Sequence, residues 1–306
     1  MTRTTSNTLM LVIAIIWGST FVAQQWGMQD VGPLTYTGAR FLIGALFVLP
    51  LAVREYRRQT RRGIVFDRRD LLACLGLGSL LFLGAVFQQI GVGTTSVSNA
   101  GFLTALYVPM VPILGWLVDK HKPHFAVWPA TLGSLVGTFF LSGGTLTAFG
   151  AGDYWVMAST IFWALHVLFI GRVAAWKGAP VLVACAQFVV CGVLGCVAAA
   201  TREVVALDGL IHGLPTILYA GLLSVGVAFT LQVVAQRYTR PADAAILLSS
   251  EVLFAAIAAA LLLGERLDTV QMAGGLLIFA SIVAVQVVPM FGEASPQTTL
   301  PGKPAG

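Results

Sequence analysis

Ten stretches of about 20 predominantly apolar residues run along this chain, and only one solvent accommodates them. A helix rises 1.5 Å per residue, so each stretch is long enough to cross the hydrocarbon core of a bilayer. The spans fall at 8–27, 33–53, 71–91, 97–118, 125–142, 153–171, 180–200, 214–235, 241–263 and 269–289. Strands of a membrane barrel would alternate in polarity over about ten residues, and these runs do not. Links such as Gly32-Pro33 and Thr94-Thr95-Ser96 are short, and none is long enough for a soluble domain. Composition agrees: of 306 residues 57% are hydrophobic and 10% charged, against about 25% charged in soluble domains. One core could not hide so much apolar surface from water.

A net charge of +5 invites a nucleic-acid reading, but the placement of the basic residues argues against it. Seven arginines (Arg54, Arg57, Arg58, Arg61, Arg62, Arg68 and Arg69) fall between the second and third spans. Beside a membrane such a cluster is an orientation signal. With the N-terminus inside, 15 Lys and Arg residues lie in inside segments, two (Arg202 and Arg266) lie in outside loops, and Arg40 lies within a span. Both termini are therefore expected in the cytoplasm. Cys74, Cys185, Cys191 and Cys196 sit in apolar runs without CxxC spacing, and read as soft packing residues, not as a disulfide framework or zinc site. His121 and His124 read as solvated loop residues, and no metal or cofactor is expected.

The chain repeats itself, which is the first thing to seek in a long sequence. Ile16-Trp17 matches Phe162-Trp163, and Pro33 with Ala39-Arg40-Phe41 matches Pro180 with Ala186-Gln187-Phe188. Phe87-Gln88 matches Leu231-Gln232, Asn99-Ala100 matches Asp243-Ala244, and Gly133-Ser134-Leu135-Val136 resembles Gly274-Gly275-Leu276-Leu277. The offsets all lie between 141 and 147, in the same order. Five spans per half force the second half to enter the membrane from the opposite side. The expected fold is thus an all-α integral membrane protein, with ten transmembrane helices as two inverted five-helix repeats around a central cavity. Residues 1–144 form the first repeat, 145–290 the second, and 291–306 a disordered cytoplasmic tail rich in Pro, Gly, Ser and Thr. Transporters use inverted repeats because the halves exchange roles between outward-open and inward-open states. The first span is expected to be retained and not cleaved as a signal peptide, since Trp17-Gly18-Ser19-Thr20 has a counterpart later in the chain.

The 5+5 arrangement, the IIWGSTFV segment of the first span, Ala39-Arg40-Phe41 and the LLLGERL ending of the ninth span resemble the drug/metabolite transporter superfamily, EamA type. The resemblance covers residues 8–289. Val252 stands where many relatives carry a proline after the glutamate, and Asp119-Lys120-His121 replaces the Gly-Glu ending in the first half. Within the family the chain is most similar to the compact ten-helix bacterial exporters of aromatic and other neutral amino acids (the YddG type). That resemblance implies an inner-membrane uniporter or proton-linked exporter with a central cavity.

Polar groups in hydrocarbon are costly and need an interior partner or a cavity. Glu251, mid-way along the ninth span, is a candidate proton or substrate-amine site, or a carboxyl that only bonds a neighbouring helix. Arg40 could attract a substrate carboxylate or pair with Glu251, or serve structure by snorkelling or tying its helix to a carbonyl. His166 lies one turn beyond Trp163 on the same face; it could relay a proton or be a neutral histidine bonded to a neighbouring helix, and is read as cavity lining without proton chemistry. Trp17 and Trp163, and Gln88 and Gln232, occupy equivalent positions in the two halves and can face the pseudo-twofold axis. Asn99 and Tyr107 are two turns apart on the fourth span, and Thr20 and Ser250 complete the expected lining. Such a cavity suits neutral substrates with apolar side chains. Trp116, Trp128, Trp155 and Trp176 lie near helix ends and fit interfacial belts. Gly133 and Gly137 form a GxxxG that suits close packing of the fifth and tenth spans, within a monomer or across a dimer.

Among function classes a transporter is favoured, an exporter of amino acids or similar metabolites in the inner membrane. Its partners would be a small-molecule substrate and the lipid bilayer, without nucleic acid, as a monomer or homodimer. A multidrug efflux transporter of the same fold differs only in substrate. An intramembrane enzyme would need a nucleophile with a base or paired carboxylates at depth, and neither GxSxG nor HExxH occurs. A receptor would predict an extra-membrane domain.

Overall fold

The structure, a computed structural model, describes residues 1–95, 97–120, 122–143, 150–263 and 266–292. Among them every regular element is helical. The expected boundary at 144/145, His121 and the tail beyond 292 lie outside the described residues. The helices are α1 (Arg3–Gly27), α2 (Pro33–Arg61), α3 (Arg68–Val92), α4 in two segments (Val97–Thr104 and Tyr107–Asp119) and α5 (Val127–Leu141). They continue with α6 (Ala151–Trp176), α7 (Pro180–Arg202), α8 (Leu207–Ala235), α9 in two segments (Pro241–Leu248 and Glu251–Leu263) and α10 (Thr269–Gly292). Eight spans are long and apolar enough to cross a membrane, and Val127–Leu141 and Thr269–Ala284 are shorter apolar helices. The outer surface is itself apolar, with Leu46, Leu132, Leu261 and Leu276 largely exposed, as lipid contact demands. The described residues thus form ten helices of a multi-pass membrane protein.

Local chemistry sets the helix starts. Pro33 and Pro180 each occupy a first helical position, where a missing N–H costs nothing. Asp67 and Asp70 form a capping box at α3. The backbone N–H groups of Arg69 and Asp70 hold the Asp67 carboxyl below its usual range.

Two further caps cross between the halves. Glu203, just past α7, accepts the N–H groups of Leu34 and Thr35, both at 2.8 Å, and the Thr35 hydroxyl at 2.6 Å. Glu55, near the end of α2, accepts the N–H of Leu182 at 2.9 Å, at the start of α7. Each helix start is thus closed by a carboxylate from the end of the other, favourable with the helix dipole. The pair must therefore run antiparallel, as corresponding helices of an inverted repeat do. Glu203→Ala should cost about 1–2 kcal/mol, the scale of a lost N-terminal cap, and lower the melting temperature in detergent. Unchanged melting would show that water serves those N–H groups equally well.

Packing respects exchange of the halves. The largest helix interfaces are α2 on α7, α3 on α6 and α5 on α10, each between helices of different halves. The contacts of α1 with α8 and α9 are mirrored by those of α6 with α3 and α4. Gly137 and Gly274 meet backbone to backbone, so the GxxxG helix packs on α10 of the same chain.

Two spans read as continuous are broken, and the breaks correspond. In α4 the Leu106 N–H donates to Leu103 at 3.2 Å and the Val108 N–H to Ala105 at 3.0 Å. In α9 the Ser250 N–H donates to Leu247 and the Val252 N–H to Ser249, both at 3.2 Å. All four are i→i−3 bonds, and each α9 partner lies 144 residues beyond its α4 counterpart. The causes differ. Pro109 has no N–H for the Ala105 carbonyl, so Val108 takes it. In α9 the Ser249 and Ser250 hydroxyls donate to Ile246 and Leu247, both at 2.7 Å, and compete with the backbone. The eighth helix begins at Leu207, earlier than the expected 214, and carries a π-helical stretch over Ala220–Phe229.

Candidate functional site

The two helix breaks face one central cavity. Its walls come from α1, α2, α3, α4, α6, α8 and α9, and it is narrow, with about 50 Å³ open to the centre of a water molecule. Tyr107 and Glu251 each open the second segment of their broken helix, and both line it.

An aromatic frame occupies its middle. Phe229 lies against both tryptophans, with ring centroids 4.5 Å from Trp17 and 6.0 Å, nearly parallel, from Trp163. Phe229 ends the π-helical stretch, and Ser224, five residues earlier, also lines the cavity. One π turn aligns them, where an α turn would not. The Ser224 carbonyl accepts the Trp17 indole N–H at 3.4 Å. The Trp163 indole nitrogen is buried without a partner.

Seven of the eleven residues selected from sequence line this cavity: Trp17, Arg40, Gln88, Tyr107, Trp163, Gln232 and Glu251. Three stand apart from it. Thr20 is buried with its hydroxyl on the Ile16 carbonyl at 2.6 Å, the ordinary back-bond of a helix threonine. Ser250 donates to Leu247 within the break. His166, expected as cavity lining, is fully buried behind the frame and bonds Gln187 through Nε2 at 2.8 Å. The side chain of Asn99 lies outside the described residues.

The lining residues that sequence reading passed over follow helical spacing from those it named. Phe21 and Gln24 lie four and seven residues beyond Trp17, and Val167 lies four beyond Trp163. Thr104, Leu248 and Phe229 lie three before Tyr107, Glu251 and Gln232. Extending each polar or aromatic stripe by one or two turns finds these six, and Ser224, within the π-helical stretch, is the seventh.

Symmetry is strict in place and broken in chemistry. Trp17 and Trp163, Phe21 and Val167, Gln88 and Gln232, Thr104 and Leu248, and Tyr107 and Glu251 are pairs at offsets of 144 or 146. Gln88 donates to Thr104 at 2.9 Å, whereas Gln232 donates to Gln236 at 3.3 Å, because its equivalent neighbour Leu248 has no polar atom. Arg40 corresponds to Gln187, and Thr20 to His166. In the second half His166 engages Gln187; in the first, Thr20 is short and turned to its own helix. The Arg40 guanidinium is left with only the Tyr36 and Phe41 rings, at 5.6 and 5.2 Å. It is 3% exposed and has no carboxylate partner among the described residues. Glu251, 7% exposed, likewise has no ion pair among them. The alternative of an Arg40–Glu251 ion pair does not occur among the described residues. Both groups stand on one cavity wall or another, uncompensated by the protein, with the buried Gln24 and Gln232 carbonyls as spare acceptors.

Known proteins place the chain. An uncharacterized transporter of Archaeoglobus fulgidus is 29% identical over 278 residues, 91% of this chain and 84% of that protein. The uncharacterized inner membrane transporter YedA of Escherichia coli is 24% identical over 90% of this chain and 88% of its own length. A crystal structure with 17% identity superposes with a TM-score of 0.75 over 95% of this chain and 99% of that one, a likeness of fold. The EamA-like transporter family matches residues 4–143 and again 150–286. Matched once in each half, with a ten-helix fold around a central cavity, this chain belongs to the EamA-like transporter family of the drug/metabolite transporter superfamily.

Proposed function

We propose that this transporter exports neutral amino acids with apolar, above all aromatic, side chains across the inner membrane by alternating access, with both termini cytoplasmic. One observation carries the reading: an unpaired guanidinium and an unpaired carboxyl line the same aromatic-walled cavity. An amino acid brings a carboxylate for Arg40, an ammonium for Glu251 and a side chain for the Trp17–Phe229–Trp163 frame. Charge-assisted bonds of this kind are strong where water is excluded. The antiparallel, reciprocally capped α2 and α7 support reading the halves as an inverted repeat, 1–144 and 145–290, able to exchange roles.

Reconstituted protein should show saturable flux of labelled phenylalanine or tryptophan that exchanges across the membrane. Flux that never saturates would indicate a pore. The multidrug reading has its own support, since an aromatic frame beside Glu251 also fits a lipophilic cation. Transport of cationic dyes without amino acids would decide for it. Among the described residues Glu251 is the only carboxyl lining the cavity, so Glu251→Gln should abolish any dependence of flux on pH. A variant that keeps the wild-type pH profile would sink the proton-site role and leave Glu251 a structural residue.

A further inference from the structure

Two side-chain clusters, one at each end of the molecule, occupy equivalent places in the two halves and join the same pair of elements. At the N-terminal end of α1, the Thr239 hydroxyl in the α8–α9 link donates to Asn7 Oδ1 at 3.2 Å. The neighbouring Ser6 hydroxyl donates to the Ala235 carbonyl and lies against the Thr239 hydroxyl, both at 2.6 Å. All three side chains are buried. At the N-terminal end of α6, the Thr95 hydroxyl in the α3–α4 link donates to Asp153 Oδ1 at 2.7 Å. Thr95 and Thr239 are 144 residues apart, Asp153 and Asn7 146. Gly152 and Gly91 stand where the other cluster has Ser6 and Ala235, and a Cβ on Gly152 would come within 3.0 Å of the Gly91 carbonyl. Backbones therefore repeat the contact even where the side chains differ.

We infer that these clusters are the two gates of the transport cycle, one latching α1 and the other α6, and that opening either end requires breaking its latch. The inference rests on the alternating-access reading. α1 carries Trp17 and α6 carries Trp163, so the helices that frame the cavity are those the latches hold. Each latch ties a helix of one half to a link of the other. By the basic-residue count the Asn7 latch faces the cytoplasm and the Asp153 latch faces outside. Both are closed in this structure. They differ in detail: Ser6 adds a bond to the Ala235 carbonyl on the cytoplasmic side, where Gly152 has no side chain. Ser6, Asn7, Thr95, Asp153 and Thr239 are on this reading positioning residues, outside the cavity itself.

The test reads accessibility and needs no substrate. The reporter is Ser224→Cys in the cavity, in a background with Cys74, Cys185, Cys191 and Cys196 replaced by alanine. Labelling by a membrane-impermeant maleimide is followed in right-side-out and inside-out vesicles. Thr239→Val should speed labelling from the cytoplasmic face by about five-fold and slow it from outside, the shift expected for one lost hydrogen bond of ordinary net strength. Thr95→Val should do the reverse, and Ser6→Gly should move the balance in the same direction as Thr239→Val. The double variant Asn7→Cys, Thr239→Cys guards against misfolding: oxidation should block cytoplasmic labelling, and reduction should restore it. Valine variants that leave both faces unchanged, or change both alike, would overturn the inference, as would a cross-link without effect. Side-specific shifts in a protein that moves no amino acid would leave the latches standing and overturn the substrate reading alone.

Discussion

Arg40→Gln weakens binding of an aromatic amino acid by about 30-fold or more, with a smaller loss for Arg40→Lys. The magnitude is that of removing one partner from a buried, hydrogen-bonded charge pair, about 2–5 kcal/mol. Glutamine is the residue that the second half already carries at the matching position, Gln187, so the backbone there accepts it. It retains hydrogen-bonding atoms and loses only the charge. The measurement is the Kd of labelled phenylalanine on detergent-purified protein, with phenethylamine as the comparison, since that amine lacks the carboxylate. Binding of the amine should change little. Equal losses for both ligands would refute a carboxylate seat and return Arg40 to the structural role, a cation held over the Tyr36 and Phe41 rings.

Gly195→Leu removes most of the folded protein. A Cβ at Gly195 would sit 2.7 Å from the Cα and 2.8 Å from the N of Gly38, and a Cβ at Gly38 would sit 2.7 Å from the Cys196 nitrogen. These obstacles are backbone atoms, which cannot swing aside as a side chain does. Overpacking typically costs about 1–3 kcal/mol and more where nothing yields. α2 and α7 would have to separate along the interface that both terminal carboxylates hold together. Gly76→Leu on α3 is the control, because nothing lies within 4 Å of a Cβ there. The readouts are the monodisperse fraction on size exclusion and the melting temperature. A Gly195→Leu protein as stable as the Gly76→Leu protein would show that α2 and α7 need not touch.

Much of the architecture was readable because lipid imposes it. Ten apolar runs, the side of the arginines and the offsets of 141 to 147 are properties of the chain itself. The same offsets singled out Trp17 with Trp163 and Gln88 with Gln232, and all four face one space. His166 was misplaced for an instructive reason. Being one turn from Trp163 puts it on the same helix face, but whether that face meets the cavity or α7 depends on where Gln187 stands. Ser224 escapes the stripe because the π-helical stretch changes the periodicity on which stripes are read. The matched breaks in α4 and α9 left no shared motif, since a proline makes one and two serine hydroxyls the other.

Span number, the family likeness and the equivalence of the halves follow from sequence alone, because hydropathy and repetition are written residue by residue. Which polar groups are already satisfied does not. Arg40 and Gln187 are equivalent in the chain, yet Gln187 meets His166, while Thr20, at the place equivalent to His166, bonds its own helix. Only the folded arrangement leaves the guanidinium over two aromatic rings and the amide engaged by His166. Hydrogen bonds and ion pairs act over about 3–4 Å, so a charge becomes available to a ligand only when the folded neighbours fail to use it.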